Sequence, residues 1–149
     1  MNATTMMQVV ANILDYPIEH LDLTGSQAYR NGYAGEMDVD HDVDVMVRDQ
    51  YGLINITLQN LEARYPNLEI RWVNKGYDGH LPYMGVCGYM VNIIGLSPDE
   101  FRAWQHATAL TKAEWANGLE AWMKDARVAF FKAARDSYLA GLVAGRQGR

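Results

Sequence analysis

Residues 21–47 read LDLTGSQAYRNGYAGEMDVDHDVDVMV, and the reading of this stretch decides the fold. An apolar run ends in Thr24-Gly25-Ser26, a Gly-bearing segment follows, and an alternating strand pattern resumes at Asp42-Val43-Asp44-Val45-Met46-Val47. Side chains alternate across a sheet, so Val43, Val45 and Val47 share one face while Asp42 and Asp44 share the other. Two such carboxylates stand about 7 Å apart, a spacing suited to holding a divalent cation from two sides. Aspartates also alternate at 38 and 40, but only the pair at 42 and 44 lies in a run apolar enough for a central strand. Burying an ionised carboxylate is costly unless a cation or a donor compensates it. The alternative is an acidic loop followed by a solvated edge strand.

Gly25 and Ser26 carry a second piece of chemistry. Glycine permits close backbone approach and unusual dihedrals, and a strand ending in a helical turn leaves backbone N–H groups facing outward. The serine hydroxyl adds a rotatable donor. Together they suit the β and γ phosphates of a nucleoside triphosphate. A plain strand-to-helix turn with Ser26 as N-cap reads the same residues without a ligand.

Gly25-Ser26-Gln27-Ala28-Tyr29, a Gly-containing spacer and His41-Asp42-Val43-Asp44-Val45 together resemble the signature of the DNA polymerase beta-like nucleotidyltransferase superfamily. The resemblance is closest to small stand-alone nucleotidyltransferase-like proteins of phages and bacteria, and it covers the core, residues 18–96. It implies that Asp42 and Asp44 hold two magnesium ions and that Gly25 and Ser26 hold the triphosphate of a nucleotide such as ATP. It also implies a third acidic residue on the strand after the next helix, where Glu69 falls. Asp42, Asp44 and Glu69 are then the catalytic set. Three departures stand out: a spacer of 15 residues from Gln27 to His41, a histidine at 41 where the family commonly has serine, and glutamate rather than aspartate at 69. An exposed Glu69 paired with Arg71 or Lys75 is the competing reading of that position.

The 149 residues fit one domain, with a core at 18–96 and C-terminal helices at 98–144. Net charge is −5, from 13 basic and 18 acidic residues. A protein that grips long DNA or RNA by its phosphates shows the opposite balance, so the expected acceptor is a small molecule, a protein side chain or an RNA end. The single cysteine, Cys87, excludes an internal disulfide and reads as a small core residue in a reducing compartment. No apolar run approaches the ~20 residues of a membrane span, and the N-terminus lacks the basic start of a secretion signal. A cytoplasmic location is expected. The acidic series Glu36, Asp38, Asp40, Asp42 and Asp44 also suits a rival reading: a catalytically silent member, phage-encoded, whose acidic face binds a basic host protein.

The remaining chain supplies the frame. Met6, Val9, Val10, Ile13 and Leu14 recur at helical spacing, and Pro17 stops that helix. A stripe at Tyr51, Ile54, Leu58, Leu61 and Tyr65 predicts a helix over 49–65, followed by a strand at 68–73, a turn at 74–80 and one or two strands over 83–96. Ser97-Pro98-Asp99-Glu100 is a helix start, and Thr111-Lys112-Ala113-Glu114 reads as another. His106, in the middle of the first of these helices, reads as structural. In the last helix Lys124, Arg127, Lys132 and Arg135 share a broad sector with Val128, Phe131 and Tyr138. Arg127 is the candidate there for reaching an anionic ligand, and snorkelling at the core margin explains the same pattern. The tail from Gly145 is expected to fray. The sum is an α/β (α+β) domain: a mixed four- to five-stranded sheet with helices on one face.

Overall fold

The computed structural model describes residues 1–74 and 80–147. Along the chain these form α1 (Ala3–Leu14), β1 (Leu21–Thr24), α2 (Gly25–Arg30), β2 (Val43–Arg48), α3 (Ile54–Arg64), β3 (Ile70–Asn74), β4 (His80–Val86), β5 (Tyr89–Leu96), α4 (Pro98–Trp115) and α5 (Lys124–Gln147). The strands make one five-stranded sheet in the order β1-β2-β5-β4-β3. β2 and β5 run parallel, and the other three pairs are antiparallel. This is the expected mixed sheet.

β2 is apolar on both sides. Val43, Val45 and Val47 are fully buried with Met6 and Val10 of α1 and with Ile54 and Leu58 of α3. Met46 points the other way, into a second cluster with Leu96, Phe101 and Trp104. Helices therefore cover both faces, not the one expected, because β2 is apolar on each: α1 and α3 lie on one side and α4 on the other. Each fully buried apolar side chain is worth about 1.5–3 kcal/mol. A slip of one residue in β2 would drive Asp44 into the α1 side, so its register is firmly set. α5 lies on α4, where Phe131 meets Trp104 edge-on at 5.2 Å between ring centroids. His106 stacks on Tyr138 with ring centroids 4.6 Å apart.

Local chemistry explains where elements start and stop. Asn2 caps α1 by accepting from the Thr5 N–H at 2.9 Å. That helix ends at Leu14 because Asp15 adopts the left-handed conformation, ahead of Pro17. Ser97 caps α4 as expected, its hydroxyl oxygen accepting from the Glu100 N–H at 3.3 Å.

Four expectations are corrected. The helix expected from residue 49 begins only at Ile54, because the buried Asp49 carboxylate accepts from the Leu53 and Ile54 N–H groups at 2.9 Å each. It also accepts from the Tyr16 hydroxyl at 3.3 Å, and Tyr51 is left exposed. Thr111 opens no helix: it is buried inside α4 and donates to the Ala107 carbonyl at 2.7 Å. A threonine whose hydroxyl is taken by the preceding turn has none left for capping. Cys87 is exposed, not in the core. With φ of 52° it forms, with Gly88 at 86°, a two-residue turn joining β4 to β5, of the kind that needs left-handed backbone at both positions. The tail stays helical to Gln147, and both Arg146 guanidinium nitrogens engage the Asp99 carboxylate at the start of α4. The turn expected over 74–80 lies, from 75 to 79, outside the described residues. Among the described residues no helix is long and apolar enough to cross a membrane.

Candidate functional site

Four strands bring one row of side chains together. Thr24 on β1 is the register partner of Asp44 on β2, and Asp44 is the partner of Asn92 on β5. Tyr83 on β4 continues the row. Alternation puts these residues on the α4 side of the sheet, opposite Val43 and Val45. Thr24 is buried there, its hydroxyl 2.7 Å from that of Thr108 on α4. The Thr108 proton goes to the Trp104 carbonyl at 2.7 Å, so Thr24 is the donor in the pair.

Gly25 follows directly. Its φ is +73°, and a β-carbon built on it would lie 2.1 Å from Asp44 Oδ2. No residue with a side chain fits at that corner without displacing the carboxylate. Gly25 and the second aspartate of the pair thus converge. Ser26 follows in the first turn of α2, half-buried, while the N-cap position belongs to Thr24. Asp42 stands immediately before β2 and is exposed, whereas Asp44 within the strand is half-buried.

Tyr29, one turn along α2, backs the corner. Its phenol faces the Thr24 and Thr111 hydroxyls and the Gly25 N–H, so one of the expected backbone donors is turned toward the tyrosine. Burial, reinforced by the Asp44 charge, pushes that phenol up to about 12. Trp115 lies against Tyr29 with centroids 5.3 Å apart, and the Arg127 guanidinium sits 5.3 Å above the Trp115 ring. Arg127 is therefore the outer member of a stack whose inner ring touches the corner. Its Nη1 also donates to the Glu120 carbonyl at 3.5 Å.

Glu69 is placed elsewhere. It precedes β3 at the far edge of the sheet, three strands or about 14 Å from β2. There it lies over Gly85 and forms an ion pair with Arg71 at 2.6 Å, the competing reading of that position. The residue beside Asp44 is instead Asn92, whose Nδ2 donates to Asp44 Oδ1 at 3.4 Å. Asn92 is only 7% exposed, and its Oδ1 is buried without a hydrogen-bond partner.

Gln27 is a positioning residue that sequence reasoning passed over. Buried in α2, it takes hold of the loop that leads to Asp42: Nε2 donates to the Asp38 and His41 carbonyls at 2.6 and 3.2 Å, and Oε1 accepts from the Asp38 N–H at 3.1 Å. A polar residue placed between Ser26 and Ala28, where α2 turns inward, was the available signal. His41 contacts Arg30 at 3.0 Å and Asp38 at 3.3 Å, at the loop surface. A cavity of about 160 Å³ opens on the flank between α2 and α4. Its Asp22 carboxylate is already engaged by Tyr33 at 2.6 Å and Gln105 at 2.9 Å.

The oxygen donors placed at the corner are the Asp44 carboxylate and the Asn92 amide, with the exposed Asp42 two residues before Asp44 in the chain. Hard oxygen ligands of this kind suit magnesium, calcium or manganese. The cradle at Gly25, which a β-carbon would fill, leaves one Asp44 oxygen directed at the backbone. Searches against known proteins find no matching family model and no matching curated relative.

Proposed function

We propose that the protein is a metal-dependent nucleotidyltransferase that moves a nucleoside monophosphate from a nucleoside triphosphate such as ATP to an acceptor hydroxyl. The observation that carries this reading is the contact between Gly25 and Asp44, which joins the two halves of the motif at one corner. In this reading Asp42 and Asp44 hold Mg2+, and Gly25 and Ser26 bind the triphosphate. Bound magnesium supplies charge neutralisation at the phosphate under attack. The half-buried Asp44 is held in place by Asn92, while the exposed Asp42 sits on a loop pinned by Gln27. The acceptor class stays that of the sequence reading, a small molecule, a protein side chain or an RNA end, and the setting is the cytoplasm.

A second reading has its own support. The corner lacks a third acid, because Glu69 stands at the opposite edge of the sheet and Asn92 is neutral. Glu36, Asp38, Asp40 and Asp42 are all exposed. These features favour a catalytically silent member, phage-encoded, that binds a basic host protein through its acidic face.

Calorimetric titration with each nucleoside triphosphate, with and without Mg2+, tests the first reading, together with transfer of label from the α-phosphate of the bound nucleotide. Metal-dependent binding that falls at least tenfold in Asp42→Asn and Asp44→Asn supports it. Absence of metal-dependent binding to any nucleotide overturns it. Host-protein capture indifferent to Asp44→Asn but lost on neutralising Glu36, Asp38 and Asp40 supports the second.

A further inference from the structure

The Asn92 amide has one end engaged and the other enclosed with nothing to bond. A buried amide oxygen without a partner costs about 1–3 kcal/mol, so such a group calls for a reason. At the enclosed end Oδ1 meets no donor, so no hydrogen bond there holds the amide in its present sense. What sits at Asp44 decides. In the present structure the NH2 group faces Asp44, 3.4 Å from its Oδ1. Against a cation the oxygen is preferred.

A half-turn of the amide plane exchanges its nitrogen and oxygen while moving few other atoms. Oδ1 would then occupy the nitrogen's place, 3.4 Å from Asp44 Oδ1. Neighbouring oxygens around a six-coordinate divalent cation, with bonds of 2.0–2.6 Å, are separated by roughly 2.8–3.7 Å. The present spacing falls within that interval.

We propose that Asn92 is a switchable ligand: on binding of a divalent cation by Asp42 and Asp44 its amide turns over and supplies a third, neutral oxygen. The inference rests on the metal site of the reading above and adds to it a residue that the motif does not contain. A neutral third ligand leaves the site with two formal negative charges, so it holds a cation more weakly than three carboxylates would.

Titration with Mn2+ alone, followed by electron paramagnetic resonance of the free ion, measures this without nucleotide or turnover. Asn92→Asp is expected to bind Mn2+ at least tenfold more tightly than the wild type. It should also melt lower in EDTA, where two like charges face each other, and recover on adding Mn2+. Asn92→Leu, close in volume and free of any oxygen, is expected to bind at least tenfold more weakly while keeping its fold. Wild-type affinity in Asn92→Leu overturns the proposal, as does a wild type that takes up no Mn2+. The two ideas fail separately: the expected Mn2+ pattern without nucleotide transfer sinks the transferase alone. Mn2+-dependent transfer with Asn92→Leu binding like the wild type sinks the ligand role alone.

Discussion

Gly25 and Asp44 approach so closely that the first atom of any side chain on the glycine would stand 2.1 Å from Asp44 Oδ2. Gly25→Ala is therefore expected to destabilise the fold by about 2 kcal/mol or more, from left-handed backbone strain added to the collision. In an Asp44→Ala background the collision shrinks to the β-carbon of residue 44 at 3.2 Å, and the same change should cost measurably less. Urea unfolding of the four proteins gives the coupling. Additivity within about 0.5 kcal/mol would show that the contact has no energetic weight.

Alkaline stability should report on Tyr29. Its phenol is raised to about 12 in the fold by burial and the Asp44 charge, against about 10 in an unfolded chain. The neutral form is thus favoured by folding, and its contribution is whole below pH 10 and lost as pH climbs toward 12. Tyr29→Phe should flatten the fall in stability between those limits. Tyr16 and Tyr33, also raised by burial, keep part of the slope. Tyrosinate absorbance near 295 nm, wild type against variant, isolates the late-titrating group.

The hydroxyl chain from Thr24 through Thr108 to the Trp104 carbonyl is closed to solvent. Thr108→Ala removes the acceptor of the Thr24 proton, leaving that hydroxyl only the Tyr29 phenol, and is expected to cost about 1 kcal/mol, while Thr108→Ser should stay near the wild type. Thermal and urea denaturation of both variants checks the pair. Equal losses in Ala and Ser would mean that the methyl, not the hydroxyl, matters.

The β4–β5 turn offers a stabilising change. Cys87 holds a left-handed backbone that asparagine tolerates better, so Cys87→Asn should add about 0.5 kcal/mol or more. The native thiol should react stoichiometrically with a disulfide reagent without denaturant, because it is exposed.

Much of this architecture was legible from periodicity. β2 showed itself by alternation, α1 by its apolar stripe, and the start of α4 by Ser97 and Pro98, since each signal is local. The convergence of Gly25 on Asp44 was legible through the motif. What the sequence hid is non-local. Glu69 follows a helix and opens a strand, as expected of a third acid, but the order of strands in the sheet decides its neighbours, and β5 takes the place beside β2. Asn92 had no signal, being one polar residue in an apolar strand. Asp49 misled the reading of α3 because its carboxylate reaches forward over a turn, and Thr111 mimicked a cap because its hydroxyl's real acceptor lies one turn back.

The parallel pairing of β2 with β5 has a kinetic consequence. α3, β3 and β4 intervene in the chain between these neighbours, so Asp44 and Asn92 meet only after a large loop has closed. Contacts of such high sequence separation form late and slowly. During refolding the Asp44–Asn92 hydrogen bond should form in the final phase, after most helical signal has returned, and a chain cut short before Tyr89 should never form it.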